Sequence, residues 1–144
     1  MDVTNRDSTP EILEHGGTCV SHLLVDKESL RNATMGGYLE LVSEFQVKDG
    51  AALEPHSHNS DEFYYMLEGA GLMTVAGEER EVRAGDLIRT PPNTIHSIRA
   101  LPGGSFRALA FATSYMAADE VGYTAYPESG EPHFVNTSHG AAAS

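Results

Sequence analysis

Two histidines and a carboxylate lie within seven residues and are the part of this sequence best suited to chemistry. The segment "EPHSHNSDEFYYMLEG" places His56 and His58 two residues apart, and Glu62 follows four residues later. In a β-strand, residues i and i+2 point to the same side and lie about 6.6 Å apart. Two imidazoles so placed can bind one metal ion with bonds of about 2.0–2.1 Å. A bound ion would also compensate for burying several ionisable groups together, which is otherwise unfavourable.

A third histidine, His96, lies in "PPNTIHSIRA", within a predicted strand that follows a tight turn. Three neutral imidazoles and one carboxylate suit Fe(II), Mn(II), Ni(II) or Zn(II) and leave coordination positions open for water or substrate. We therefore expect one divalent transition metal per chain. Whether Glu62 is a permanent ligand or leaves the metal to act as a base stays open.

Short strand-like runs separated by turn signals are expected to position these residues. The predicted strands are Gly36–Val47, Asp61–Gly69, Gly71–Gly77, Glu78–Val82, Asp86–Thr90, Thr94–Leu101 and Ser105–Thr113. Seven or eight strands at this spacing are typical of an antiparallel sandwich or barrel, so we predict an all-β protein. Helix signals are limited to one short segment, Ser114–Gly122, and to a turn that Asp26 could cap.

A chain of 144 residues fits one domain. We predict a poorly ordered N-terminal arm at 1–20, a barrel at 21–127 and a flexible C-terminal tail at 128–144. The single Cys19 has no partner for an internal disulfide, and core filling is the expected role. Four histidines lie outside the motifs and are expected at the surface or in the tails, although one could reach the barrel mouth: His15, His22, His133 and His139.

The charge of the chain argues against two kinds of partner. The net charge is −12, with only two lysines, and such a surface repels nucleic acid. No run approaches the roughly 20 apolar residues of a membrane span. The first residues also lack the basic and apolar regions of a signal peptide. We expect a soluble, cytoplasmic protein.

Two motifs resemble those of the cupin superfamily. The segment "GAALEPHSHNSDEFYYMLEG" fits G-x5-H-x-H-x3-E-x6-G, and "GDLIRTPPNTIH" fits G-x5-P-x-N-x2-H. The resemblance implies a small double-stranded β-helix barrel of jelly-roll type, with His56, His58, Glu62 and His96 lining its lumen as metal ligands. Two positions depart from the family pattern. Asn93 replaces a glycine, although Asn tolerates a left-handed conformation well, and Ala100 replaces the closing asparagine. The chain also resembles, more weakly, polyketide-tailoring cupins and quercetinase-like cupins.

Strand alternation predicts which residues surround the metal. If Glu62 faces the ion, Tyr64 and Met66 share its side, and Thr94 and Ile98 flank His96. We therefore predict Glu62 and Tyr64 as catalytic residues, although Tyr64 could equally be a core aromatic. The predicted substrate pocket consists of Met66, Thr94 and Ile98.

The opposite side of the same strand carries an apolar stripe. Phe63, Tyr65 and Leu67 would face away from the ligands and could pack against a second subunit. We expect a homodimer.

A largely apolar pocket favours a small substrate with an oxygen that can bind the metal, such as a β-dicarbonyl, polyketide or flavonol-like compound. A Lewis-acid metal would promote enolisation, leading to cyclisation, isomerisation or elimination. Two alternatives stay open. One is an Fe(II) dioxygenase, and the other is a non-catalytic cupin that binds a small molecule. The intact ligand set favours a metal-dependent enzyme.

Overall fold

The described residues fold into two six-stranded antiparallel sheets that face each other. The computed structural model describes residues 6–25, 39–113, 120 and 122–136. The strands are β1 (Ile12–Glu14), β2 (Cys19–Leu23), β3 (Leu41–Val47), β4 (Ala52–Ser57), β5 (Asp61–Glu68), β6 (Ala70–Val75), β7 (Glu78–Arg83), β8 (Leu87–Thr90), β9 (His96–Ala100), β10 (Phe106–Thr113), β11 (Gly122–Ala125) and β12 (His133–Asn136). Two 3-10 turns, Arg6–Ser8 and His15–Gly17, flank β1.

The strand order explains how distant parts of the sequence meet. One sheet has the order β1-β2-β3-β10-β5-β8, and the other has the order β12-β11-β4-β9-β6-β7. In the first sheet β10 lies between β3 and β5, so the last long strand joins the two halves of the chain. In the second sheet β9 lies between β4 and β6. This arrangement is a jelly-roll barrel, as predicted.

The core lies between the sheets and leaves space at one end. Met66 and Ile98, from opposite sheets, are almost completely buried. Along β10 the buried positions alternate, beginning with Phe106 and continuing as Ala110 and Ala112. Because alanines fill little volume, the inner face of β10 leaves space where larger side chains would have closed the barrel. Both Ala110 and Ala112 line the cavity described below.

The predicted strands agree with β3 and β5–β10, but the ends of the chain contribute more to the sheets than expected. β1 and the start of β2 fall within the predicted arm at 1–20, and β12 falls within the predicted tail at 128–144. β1 pairs with β2, and β12 pairs with β11. The predicted helix at Ser114–Gly122 lies mostly outside the described residues, and the turn at Asp26 lies wholly outside them. The proposed domain boundaries stay a prediction.

The outer face of β5 carries the apolar stripe. Tyr65 and Leu67 are 41% and 38% exposed, while Phe63 stacks on Phe111 with ring centroids 4.9 Å apart. Alternation therefore directs these side chains away from the ligands, as predicted. The homodimer stays a prediction. Within the described parts of the chain, no helix is long and apolar enough to cross a membrane.

Gly69, which closes the first motif, cannot carry a side chain without displacing its neighbours. Its φ is +76°, and an added Cβ would lie 2.4 Å from the carbonyl oxygen of Ser105. Gly77 provides a matched control, because its φ is +82° and an added Cβ would contact nothing within 4 Å. We expect Gly77→Ala to cost about 1–2 kcal/mol of backbone strain. Gly69→Ala should cost about 1–3 kcal/mol more through overpacking. Urea unfolding of both variants measures the difference, and equal stabilities would contradict the close approach.

Candidate metal centre

A β-bulge in β4 turns His56 toward the interior. Leu53 and His56 are three residues apart and would face opposite sides of a regular strand, yet both are buried. The register of β4 against β9 shifts between these two residues, as in a β-bulge. Pro55 is exposed in the shifted segment, where its missing N–H removes no ladder hydrogen bond. The shift sets His56 directly opposite His96, with ring centroids 4.2 Å apart.

The other two candidate ligands lie on either side of a tight turn. The turn at Asn59–Ser60 leads into β5 and returns Glu62 to His58, so that His58 Nε2 lies 2.7 Å from Glu62 Oε2. The backbone N–H of Asn93 donates to the carbonyl of His58 at 2.7 Å and joins the two motifs. Asn93 adopts a left-handed φ of 58°, as its replacement of a glycine predicts.

All four predicted ligands come together. One donor atom from each of His56, His58, Glu62 and His96 lies within 4.8 Å of the others. The Nδ1 atoms of His56 and His96 lie 2.8 and 2.9 Å from the backbone carbonyls of Glu54 and Thr94. Since a carbonyl only accepts, each Nδ1 carries the proton, and Nε2 is left as the nitrogen that can bind a metal.

The donor set fits a divalent transition metal. His96 Nε2 is buried without a hydrogen-bond partner, 3.4 Å from Glu62 Oε2. Such an orphaned buried nitrogen is unfavourable unless a ligand occupies the adjacent space. Three imidazole nitrogens and one carboxylate match the preferences of Fe, Mn, Ni and Zn, so the predicted cofactor class is compatible with the site.

The protonation states of His56 and Glu62 favour metal binding, whereas a metal ion would compete with a proton at His58. Burial, followed by the nearby His96 and His15, lowers the pKa of His56 well below its usual value, which keeps its imidazole neutral. Burial alone would raise the pKa of Glu62, but the charge and hydrogen bond of His58 outweigh it and hold the pKa well below its usual range. Burial also opposes ionisation of His58, yet Glu62 raises its pKa. The carboxylate is therefore ionised and ready to bind a cation.

An internal cavity of about 100 Å³ lies beside these ligands. His56, His58, Glu62 and Tyr64 contribute to its wall, whereas His96 lies behind them and is 1% exposed. Glu62 and Tyr64, the two predicted catalytic residues, therefore both line the cavity.

The residues predicted to form the substrate pocket lie elsewhere. Met66 and Ile98 belong to the closed core, and the Thr94 hydroxyl is directed to the carbonyl of Pro92. None of the three is among the residues that line this cavity. Alternation correctly predicts that Met66 and Ile98 face the interior, but they lie in the filled part of the barrel and not at the cavity. Their role in substrate binding stays a prediction that this geometry does not favour.

Tyr64 lines the cavity together with the carboxylate of Glu62. Burial, followed by the negative charge of Glu62, raises the pKa of Tyr64 well above its usual value. The hydroxyl is therefore neutral. The ring packs edge-on against Phe45, with centroids 4.9 Å apart, and this contact fixes its position.

His15 is a residue of the site that the sequence did not single out. The main expectation placed it at the surface or in a tail, and a position at the barrel mouth was the alternative. Its side chain is 6% exposed and lines the cavity. Its ring lies 4.9 Å from His56 and stacks on Tyr123 at 5.1 Å. Burial lowers the pKa of His15 to about 4. The following Gly16-Gly17 was the available signal, because two glycines allow the left-handed turn that folds β1 back onto β2.

The remaining histidines divide between interior and surface. His22 is buried, also against expectation, and its Nδ1 lies 3.0 Å from the Thr9 hydroxyl. His133 is exposed, as expected. His139 lies outside the described residues.

The double six-stranded barrel with three histidines and a glutamate on β4, β5, β9 and the intervening turn is the architecture of a cupin. Residues 43–111 match the cupin domain family, and the chain belongs to the cupin superfamily. The chain is 35% identical over 113 residues to dimethylsulfoniopropionate lyase DddW of Ruegeria pomeroyi, covering 76% of this chain and 73% of that protein. It is 29% identical over 104 residues to an oxalate-binding protein of Thermotoga maritima, covering 68% and 81% of the two chains.

Solved structures support the same fold. A predicted oxalate decarboxylase of Thermotoga maritima superposes with a TM-score of 0.67 at 23% identity, covering 78% of this chain and 98% of its own. The polyketide cyclase RemF of Streptomyces resistomycificus gives a TM-score of 0.65 at 21% identity, covering 83% and 89%. At these identities the likeness concerns the fold alone.

Proposed function

We propose that this protein is a metal-dependent lyase. In this proposal it removes a proton from the carbon next to a carboxylate and expels a leaving group from the following carbon. The observation that carries the proposal is the placement of Tyr64 and Glu62 together in the cavity wall, beside His56 and His58. The similarity to DddW supports elimination over cyclisation and isomerisation as the outcome of enolisation.

The residues of the site have distinct tasks in this reaction. A divalent metal held by His56, His58, Glu62 and His96 would act as a Lewis acid on the substrate carboxylate and acidify the adjacent C–H. The Tyr64 oxygen accepts that proton as its own proton passes to the neighbouring carboxylate of Glu62. Glu62 thus has a task in proton transfer besides its place in the ligand set.

Dimethylsulfoniopropionate is the substrate to test, because the relative is named for acting on it. Loss of the proton next to its carboxylate leaves an electron pair that forms the carbon–carbon double bond. The carbon–sulfur bond breaks, and sulfur keeps its pair and leaves as neutral dimethyl sulfide. The other product is acrylate. The reaction requires no oxidant or reductant, in contrast to a dioxygenase.

The test is an elimination assay under nitrogen. Purified protein loaded separately with Fe(II), Mn(II), Ni(II) and Zn(II) is incubated with dimethylsulfoniopropionate. Gas chromatography of the headspace measures dimethyl sulfide, and proton NMR measures acrylate. We expect equal amounts of both products with at least one metal and none with metal-free protein. Folded, metal-loaded protein that releases neither product would overturn the proposal, and turnover that depends on dioxygen would favour the dioxygenase.

A further inference from the structure

We infer that Glu14 and Glu40 form a subsite for a positively charged group of the substrate. The substrate would then be an onium carboxylate, meaning a carboxylate that carries a sulfonium or quaternary ammonium group. This inference rests on the proposed function for the position of the carboxylate, but its evidence is the cavity itself.

The described lining of the cavity carries several carboxylates. Besides Glu62, the carboxylates of Glu14 and Glu40 line it, and none of the described residues around it is lysine or arginine. The Ser21 hydroxyl donates to Glu14 and so holds this carboxylate at the cavity wall. The charge of Glu14 also contributes, after burial, to raising the pKa of Tyr123 to about 12, as expected for a carboxylate near that hydroxyl. An acidic lining by itself would not identify a ligand.

Two unpartnered polar groups supply the second observation. One carboxylate oxygen of Glu40, Oε2, is buried without a hydrogen-bond partner. His15, whose side chain is 6% exposed, has a buried Nδ1 without one as well. A buried carboxylate without a nearby positive charge is unfavourable, and the charge of a cation in the cavity would lower this cost. The backbone N–H of Glu40 donates to the Ala112 carbonyl at 2.7 Å, which fixes its position beside the cavity.

The charges around the cavity select for a cation when the metal site is filled. A divalent ion bound by Glu62 leaves one net positive charge there, which the substrate carboxylate neutralises. Glu14 and Glu40 then remain as two negative charges in the cavity wall. A small dianion such as oxalate would be repelled by both, whereas an onium group would be attracted.

Aromatic rings complete the environment for an onium group. Phe45, Tyr64 and Tyr123 all line the cavity. Aromatic faces attract quaternary and ternary onium groups, which have no N–H to donate and therefore need no hydrogen-bond acceptor. Carboxylates and rings together distinguish this cavity from one built for a neutral apolar substrate.

Two ligands of the same shape test the inference. 3-(Trimethylammonio)propionate and 4,4-dimethylpentanoate differ by a quaternary nitrogen in place of a carbon, hence by one positive charge. Calorimetric titration into Zn(II)-loaded protein measures both affinities without turnover. We expect the ammonium compound to bind about tenfold or more tightly. Oxalate should bind more weakly than either.

Glutamine variants locate the subsite. Glu14→Gln and Glu40→Gln should each reduce the affinity ratio of the two ligands severalfold, while the exposed Glu81→Gln, which makes the same charge change on β7, should leave it unchanged. Thermal unfolding shows whether each variant is folded. If a variant does not fold, the ratio of the two ligand affinities in the wild-type protein still tests the inference. Equal binding of the two ligands, tighter binding of oxalate, or an unchanged ratio in both folded variants would overturn it.

The two proposals can fail separately. A protein that prefers the ammonium ligand but releases no dimethyl sulfide would retain the cationic subsite and lose the proposed lyase activity. A protein that releases dimethyl sulfide but binds both ligands equally would retain the activity and lose the subsite.

Discussion

The His96→Ala variant is expected to lose its metal and all turnover while the barrel stays folded. His96 Nε2 is a buried nitrogen without a hydrogen-bond partner in the ligand cluster, so metal binding is the interaction that its imidazole can supply there. Changes to groups that only support a ligand typically cost about 10–100-fold in metal affinity, and loss of a ligand should cost more. The fold should survive because the large buried side chains Phe106, Met66 and Val47 pack away from the cluster.

Metal titration followed by elemental analysis measures the loss, and circular dichroism checks the fold. His133→Ala is the matched control, since it removes an exposed histidine outside the cluster. Excess metal should not restore turnover, because the remaining groups leave a different set of open coordination positions. A His96→Ala protein that binds metal and turns over like the parent would show that His96 is not a ligand.

The Tyr64→Phe variant should keep its metal and lose most of its activity. The substitution removes only the Tyr64 hydroxyl from the cavity wall, and the Glu62 carboxylate keeps its contact with His58 at 2.7 Å. Positioned proton transfer contributes about 10²–10⁴-fold to a rate, and we expect turnover to fall by that factor. Because the ring remains, its packing on Phe45 should also remain.

Turnover of dimethylsulfoniopropionate and metal content are to be measured on the same preparation. Tyr65→Phe makes the same chemical change on the neighbouring residue, which is 41% exposed on the outer face of β5, and should behave like the parent. Exchange of the substrate C–H with deuterated water provides a second readout, which a purely structural role of Tyr64 would leave unchanged. A Tyr64→Phe enzyme with parental turnover would assign proton transfer to another group.

Local patterns predicted an antiparallel sandwich or barrel, and the resemblance to the cupin motifs implied the jelly-roll type and the full set of four ligands. Alternation and turn residues located β5–β10. The spacing of His56, His58 and Glu62 predicted that these three side chains meet at one end of a hairpin. The bulge in β4 was not predicted, because the alternation of side chains does not reveal an extra residue. Pro55 was the sequence feature that could have indicated it. The period of two shows which side of the sheet a residue faces. It does not show whether an inward residue lies in the filled core or at the cavity, and for this reason Met66 and Ile98 were predicted to line the pocket.

The residues that complete the cavity were missed for a different reason. Glu14 lies in a strand of three residues, and His15 lies in the turn that follows it. Neither segment is long enough to show a period, so both were included in the predicted arm. Their positions are set by pairing of β1 with β2, which in turn pairs with β3. Such a placement depends on tertiary structure, and the sequence marks it only through the Gly16-Gly17 turn.

The thiol of Cys19 is expected to react slowly with electrophiles, although it lines the cavity. The thiol is 2% exposed and lines the same cavity as the ligands, and burial raises its pKa to about 12. At neutral pH only about one thiol in 10⁵ is then ionised, and the thiolate is the form that reacts with electrophiles. Under the proposed function, acrylate, a Michael acceptor, forms next to this side chain in every cycle. The protonated thiol would spare the protein from alkylation by its own product.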